Sequence, residues 1–147
     1  MIKRAGLRAG NKTGSGSAGG GRGSGGQGDS RLGFGREGEE YAACIAVAAG
    51  LTIVARNYRC PLGEIDLIAN DAGTLVFIEV RARHSGHWGW GEESITARKI
   101  SRLRAVASYY LRREGYQEWP RLRFDVIALR WRGAEPEVNW VRNIALP

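Results

Sequence analysis

The residues that could carry chemistry gather in one stretch of this 147-residue chain, GEIDLIANDAGTLVFIEVRAR at 63–83. Asp66 and Glu79 fall inside runs that otherwise read as apolar strands, and Arg81 follows Glu79 by two residues. Acidic residues are depleted in strands and are expensive to bury unless paired or bound to a cation. Side chains alternate across a strand. Glu64 and Asp66 therefore share a face of 64–69, and Glu79, Arg81 and Arg83 share a face of 74–83. If Ala69 pairs with Thr74 around the turn NDAG, Asp66 lies opposite Phe77 and Glu79 is its diagonal neighbour, with ~7–8 Å between backbones. A one-residue slip would put the two acids on opposite faces. Two carboxylates so close repel each other, and desolvation adds to the cost. A hard divalent cation relieves both problems: Mg²⁺, or Mn²⁺ in its place, takes one or two carboxylates together with phosphate oxygens. Held by Asp66 and Glu79, such an ion activates water and steadies an in-line phosphoryl displacement, with Arg81 meeting the phosphate. The competing description is a solvated, ion-paired sheet face, which patterning alone favours because charged faces on antiparallel strands are ordinary.

The elements that must position these groups read as αβββαββ. REGEEYAACIAVAAG (36–50) is Ala-rich and ends in Gly, which predicts a helix with Gly50 at C′. Strands follow at 51–59, 64–69 and 74–83, with turns at CPLG (60–63) and NDAG (70–73). TARKISRLRAVASYYLRREG (96–115) has apolar residues at helical spacing, Thr96 as N-cap and Gly115 at C′. Two more strands, 122–131 and 137–146, complete the order. The second helix is long enough to carry a crossover between strands. Asp125, alone on its strand, reads as structural.

Composition sets the bounds. The length fits one domain, 31–147, behind a tail at 1–30 whose Gly/Ser-rich GSGSAGGGRGSGGQGDS predicts disorder. The formal charge of +7 is divided: the tail carries five Lys/Arg against Asp29, and the remainder 17 against 14. That surplus permits a nucleic-acid partner without demanding one. Cys44 and Cys60 form no CxxC, and no run approaches the ~18 apolar residues that span a membrane. The basic start MIKRAGLRAGNKTG lacks an apolar core of a signal peptide. The expectation is a reduced, cytoplasmic protein away from the membrane.

From GREGEEYAACIAVAAGLTIVARNYRCPLGEIDLIANDAGTLVFIEVRAR through SITARKISRLRAVASYYL and RFDVIAL, residues 31–147 resemble the YraN-like family of bacterial proteins. The Asp66 … Glu79-Val80-Arg81 arrangement resembles the D…(D/E)-x-K signature of restriction endonuclease-like nucleases, to which that family and the archaeal Holliday-junction resolvases are related. The resemblance implies an α/β fold with a restriction endonuclease-like core, a mixed sheet flanked by helices. It implies a metal-dependent nuclease, or a nuclease-like protein, acting on structured or branched DNA, in a superfamily where many members pair as homodimers. By the same resemblance Glu39, in Gly38-Glu39, is the helix-borne acid facing the site. Asp66 is the main metal ligand with Glu64 nearby, Glu79 is the second ligand, and Lys99 matches the family's second-helix lysine. Arg81 departs from the usual Lys. A lysine can lose its proton and act as a base, whereas arginine effectively cannot, although it can clamp a phosphate with two hydrogen bonds. Arg81 thus favours one alternative, a non-catalytic nucleic-acid-binding module that keeps the fold.

Further substrate contacts are expected from Arg83 and from Arg98 and Arg102 with Lys99 on the second helix, a basic edge that could track phosphates. Trp88 and Trp90, in the loop HSGHWGWGEES, could stack on unpaired bases or cap the core. A third class of function, a protein-interaction domain using that Trp loop, predicts no salt-dependent DNA binding.

Overall fold

The computed structural model describes residues 29–84 and 95–144. In chain order the elements are α1 (Asp29–Ala48), β1 (Thr52–Cys60), β2 (Gly63–Asp71), β3 (Thr74–His84), α2 (Ala97–Arg113), β4 (Leu122–Trp131) and β5 (Pro136–Val141). This is the expected αβββαββ order. The five strands form one mixed sheet in the order β1-β2-β3-β4-β5. Every neighbouring pair is antiparallel except β3 and β4, which run parallel because α2 carries the chain across between them.

Each helix covers one face. Ala42, Ala43 and Ala46 of α1 pack on Leu67, Ala69, Val76, Ile78, Ile127 and Leu129. On the other face Leu103, Val106, Ala107, Tyr110 and Leu111 of α2 pack on Ile65, Ile68, Leu75, Phe77 and Phe124. The alternation of β3 thus divides its apolar residues between two cores, with Glu79, Arg81 and Arg83 on the α2 side. Both helices end as predicted. Gly50 N–H bonds Val47 O and Leu51 N–H bonds Ala46 O; Gly115 N–H bonds Arg112 O and Tyr116 N–H bonds Leu111 O. These pairs of bonds, with Gly50 and Gly115 at positive φ, satisfy the last carbonyls of each helix. Thr96 caps α2, its Oγ accepting from Lys99 N–H.

Three boundaries differ from expectation. Helix α1 begins at Asp29 rather than residue 36, inside the stretch assigned to the tail; residues 1–28 lie outside the described residues. Strand β5 ends at Val141 rather than 146. The β2–β3 turn is shorter than NDAG: Asp71 pairs with Thr74, and only Ala72 and Gly73, both at positive φ, form the loop. A two-residue turn of that kind matches strand twist, so the register lies two residues from the Ala69–Thr74 pairing. Because the slip is even, every side chain keeps its face.

Gly38 sets how closely α1 approaches the sheet. A Cβ there would sit 2.7 Å from the Ala82 Cβ, with Leu129 beyond. A bulky substituent must therefore lift α1 off β3 at the level of Glu39. Gly38→Val is expected to lower stability by about 1–3 kcal/mol, the cost of overpacking, read as a shifted midpoint in urea unfolding. An unchanged midpoint would show that the helix tolerates a wider spacing.

Candidate functional site

Strand β2 does not keep strict alternation at Asp66. Ile65 and Ile68, three residues apart, pack in the same cluster under α2. Across from this point on β1, Asn57 takes a left-handed φ of 51°, a conformation Asn tolerates better than most residues. The irregularity turns Asp66 toward the neighbouring strand, where its Oδ2 accepts the Val80 N–H at 2.7 Å. The β2–β3 ladder stops just before, at Leu67–Ile78. Asp66 thus replaces a backbone partner where the two strands part. One step beyond the last pair, Glu79 stands directly across from Asp66, not diagonally as the longer turn would have placed it.

Glu79 is almost enclosed, its side chain 12% exposed, between two cations. Lys99 Nζ, reaching from the first turn of α2, contacts Oε1, and Arg81 Nε lies 3.6 Å from the same oxygen. Among the described residues no cation is placed to neutralise Asp66 in this way, and its carboxyl rises from an ordinary 3.8 to about 7. Burial is the main cause. The negative charge of Glu79 comes next, with smaller contributions from Glu39 and Glu64, against the opposing effect of the Val80 N–H. The four acids expected at the site are therefore electrostatically coupled to one another through Asp66.

A cleft of about 430 Å³ opens over this cluster, lined by Glu64, Asp66 and Glu79 on the acidic side and by Arg59, Lys99 and Arg102 on the basic side. Gly63 closes one wall. A Cβ there would come within 3.2 Å of the Arg102 Cδ and the Val106 Cγ2, so the β1–β2 turn rests against α2. Of the residues expected to form the site, the cleft gathers Glu64, Asp66, Glu79, Lys99 and Arg102. Glu39 lies outside the cleft, lining a separate hollow on the α1 side with Arg56, Asn57 and Leu67. Arg81 and Arg83 are half-buried on β3, and Arg98 is exposed at the start of α2. Trp88 and Trp90 lie outside the described residues. Among the described residues no group of three or more His, Cys, Asp or Glu forms a metal cage, so the candidate ligands are the pair Asp66 and Glu79. The sequence reading missed Arg59, which pairs with Glu64 at 3.3 Å; the tight CPLG turn, by setting 59 across from 64, was the available signal. Asp125 is structural as expected: 1% exposed, it accepts from Arg123 Nε, Trp140 Nε1 and Asn143 N–H.

The model of Uncharacterised protein family UPF0102 matches residues 38–129. The chain belongs to the UPF0102 family. A UPF0102 protein of Desulfitobacterium hafniense (strain Y51) is 51% identical over 119 residues, covering 79% of this chain and 98% of that relative. One from Pelotomaculum thermopropionicum is 48% identical over 101 residues, covering 69% and 83%. One from Nitrosococcus oceani is 42% identical over 109 residues, covering 74% and 88%. The UPF0102 match begins at Gly38-Glu39 and contains every residue that lines the cleft. No helix among the described residues is long and apolar enough to cross a membrane.

The raised Asp66 carboxyl gives the site a signature in stability. Unfolded, Asp66 releases its proton near pH 4; folded, it holds it to about 7. The native state therefore binds the extra proton across that window, and stability falls as pH rises through it. Asp66→Asn is expected to lose that part of the pH dependence and to be more stable than the parent by about 2 kcal/mol at pH 8, at ~1.4 kcal/mol per pKa unit discounted for partial exposure. Urea unfolding of both proteins between pH 5 and 8.5 in EDTA measures it. A variant less stable than the parent at every pH would mean that the Val80 bond outweighs the repulsion.

Proposed function

We propose that the cleft binds a backbone phosphate of nucleic acid, with structured or branched DNA as the substrate, and that Asp66 and Glu79 hold Mg²⁺ or Mn²⁺ for phosphodiester hydrolysis. The observation that carries this reading is the juxtaposition of a carboxyl pushed up to about 7 with a second carboxylate and three cleft-lining cations. A site built only for stability would neutralise Asp66 in place; here the positive charge is spent on Glu79. The donor set fits a hard divalent ion. Two carboxylates on adjoining strands leave room for water and phosphate oxygens, the usual coordination of Mg²⁺, and a cation removes the repulsion that raises Asp66.

When bound, the ion would lower the pKa of its water and offset charge developing on the phosphate. The chain's own residues do the rest. Arg59 and Arg102 draw the phosphodiester into the cleft. Lys99 holds Glu79 in place and presents, from α2, the amine that the strand lacks at Arg81. Glu39 adds negative potential from the α1 side. Arg81, paired with Glu79, supplies positive charge toward the phosphate. The resemblance of GEIDLIA and EVR to the endonuclease-like signature supports the same reading, and UPF0102 membership is compatible with it.

One observation favours the non-catalytic alternative. Lys99 and Arg81 both contact Glu79, and a carboxylate so neutralised draws a metal less strongly. Calorimetry with Mg²⁺ or Mn²⁺, and cleavage and affinity on branched, single-stranded and duplex DNA at one salt concentration, separate the two. For the nuclease, Asp66→Asn and Glu79→Gln each lose metal affinity at least about tenfold and abolish cleavage, in keeping with ~10–100-fold losses at metal sites. Arg81→Lys then retains cleavage, and Arg81→Ala lowers both binding and cleavage. Salt-dependent DNA binding without cleavage by either the parent or Arg81→Lys would establish a binding module. No binding at all would sink both readings.

A further inference from the structure

A second hollow, of about 270 Å³, lies where β4 begins, on the far flank of α2 from the cleft. Its floor is apolar, from Leu122 and the nearly buried Phe124. Trp119, in the segment between α2 and β4, stands at the rim with 64% of its surface exposed. Arg104 of α2, Arg123, Asn143 and Ile144 complete the lining, which contains no acidic side chain among the described residues. Arg123 is rigid there, its Nη1 bonded to Asp71 Oδ2 at 2.6 Å and its Nε to Asp125. Exposed Arg104 and Asn143 remain to meet a ligand.

A flat aromatic face over an apolar floor with a cationic, acid-free rim suits a group that is planar, able to hydrogen-bond at its edge and attached to an anion. A nucleotide has these properties. The volume falls at or below the lower end of ligand pockets, ~300–1,000 Å³, so it suits one base rather than a base pair. A base reaches an aromatic ring in this way only when it has left its partner. Arg104 comes five residues after Lys99 on α2, about 140° around the helix axis. The same helix therefore presents a cation to each hollow, on opposite flanks.

We propose that this hollow is a second nucleotide subsite, taking the base of an unpaired nucleotide against Trp119 with Arg104 on its phosphate. It rests on the nucleic-acid reading above and deepens it: the preferred substrate carries a single-stranded segment that crosses α2, beyond the phosphate in the cleft.

The test uses the full chain in EDTA at one fixed salt concentration, with a dye-labelled thymidine decamer and a blunt duplex of the same length as probes. Trp119→Ala is expected to lower the preference for single strand over duplex about tenfold, within the range of one lost base–aromatic stack, and Trp119→Phe to restore most of it. The indole is exposed, so Trp119→Ala folds, which its melting curve checks. An unchanged preference in Trp119→Ala would overturn the subsite while leaving the cleft reading standing. Parent protein that binds neither probe would instead remove the nucleic-acid reading beneath it.

Discussion

One hydrogen bond organises the site: the Asp66 carboxylate accepting the Val80 N–H at the point where β2 and β3 part. A backbone amide buried at the end of a ladder must find an acceptor. Here a side chain serves in place of a carbonyl, which frees the strands to diverge and opens the cleft. The bond also fixes Asp66 beside Glu79, where its charge is most costly. The fold tolerates this because the cost falls on one group, while the surrounding acids are held by cations or face solvent. Where local requirements for stability and for chemistry conflict in a native protein, a site of this kind is the expected place.

The carboxylates were legible because acids inside apolar strand patterns are conspicuous and alternation assigns their faces. Their exact relation was not. The segment NDAG reads as a four-residue turn, and nothing in the sequence marks Ala72 as a residue that accepts positive φ. The register that the sequence predicts therefore differs by two residues from the observed Asp71–Thr74 pairing, a difference that parity makes harmless. The irregularity at Asn57 was likewise invisible, since Asn in a strand pattern signals a weak strand as readily as a left-handed residue. The Ala-rich pattern marks α1 only from residue 36, whereas the helix begins at Asp29 and runs through Gly33 and Gly35, residues of low helix propensity.

The partner of Glu79 was the hardest to read. Lys99 lies twenty residues away in sequence, and only the crossover brings the first turn of α2 over the end of β3. Local pattern could place Lys99 on a helix face; its assignment to the site came from family resemblance. Trp119 carried no motif at all. Its position depends on how the segment after α2 rejoins β4, which no periodicity describes.

The left-handed Asn57 has a second consequence, at the outside of the sheet. Among the described residues strand β1 is an edge, with β2 on one side and no strand on the other. An open edge of regular backbone is a template for another chain's strand. The register shift between Ile53 and Ala55, and then Asn57, interrupt the row of amides and carbonyls along that edge, and exposed Arg56 and Arg59 place charge on it. The same distortion that points Asp66 inward thus makes the border a poor seed for intermolecular sheets and aggregation.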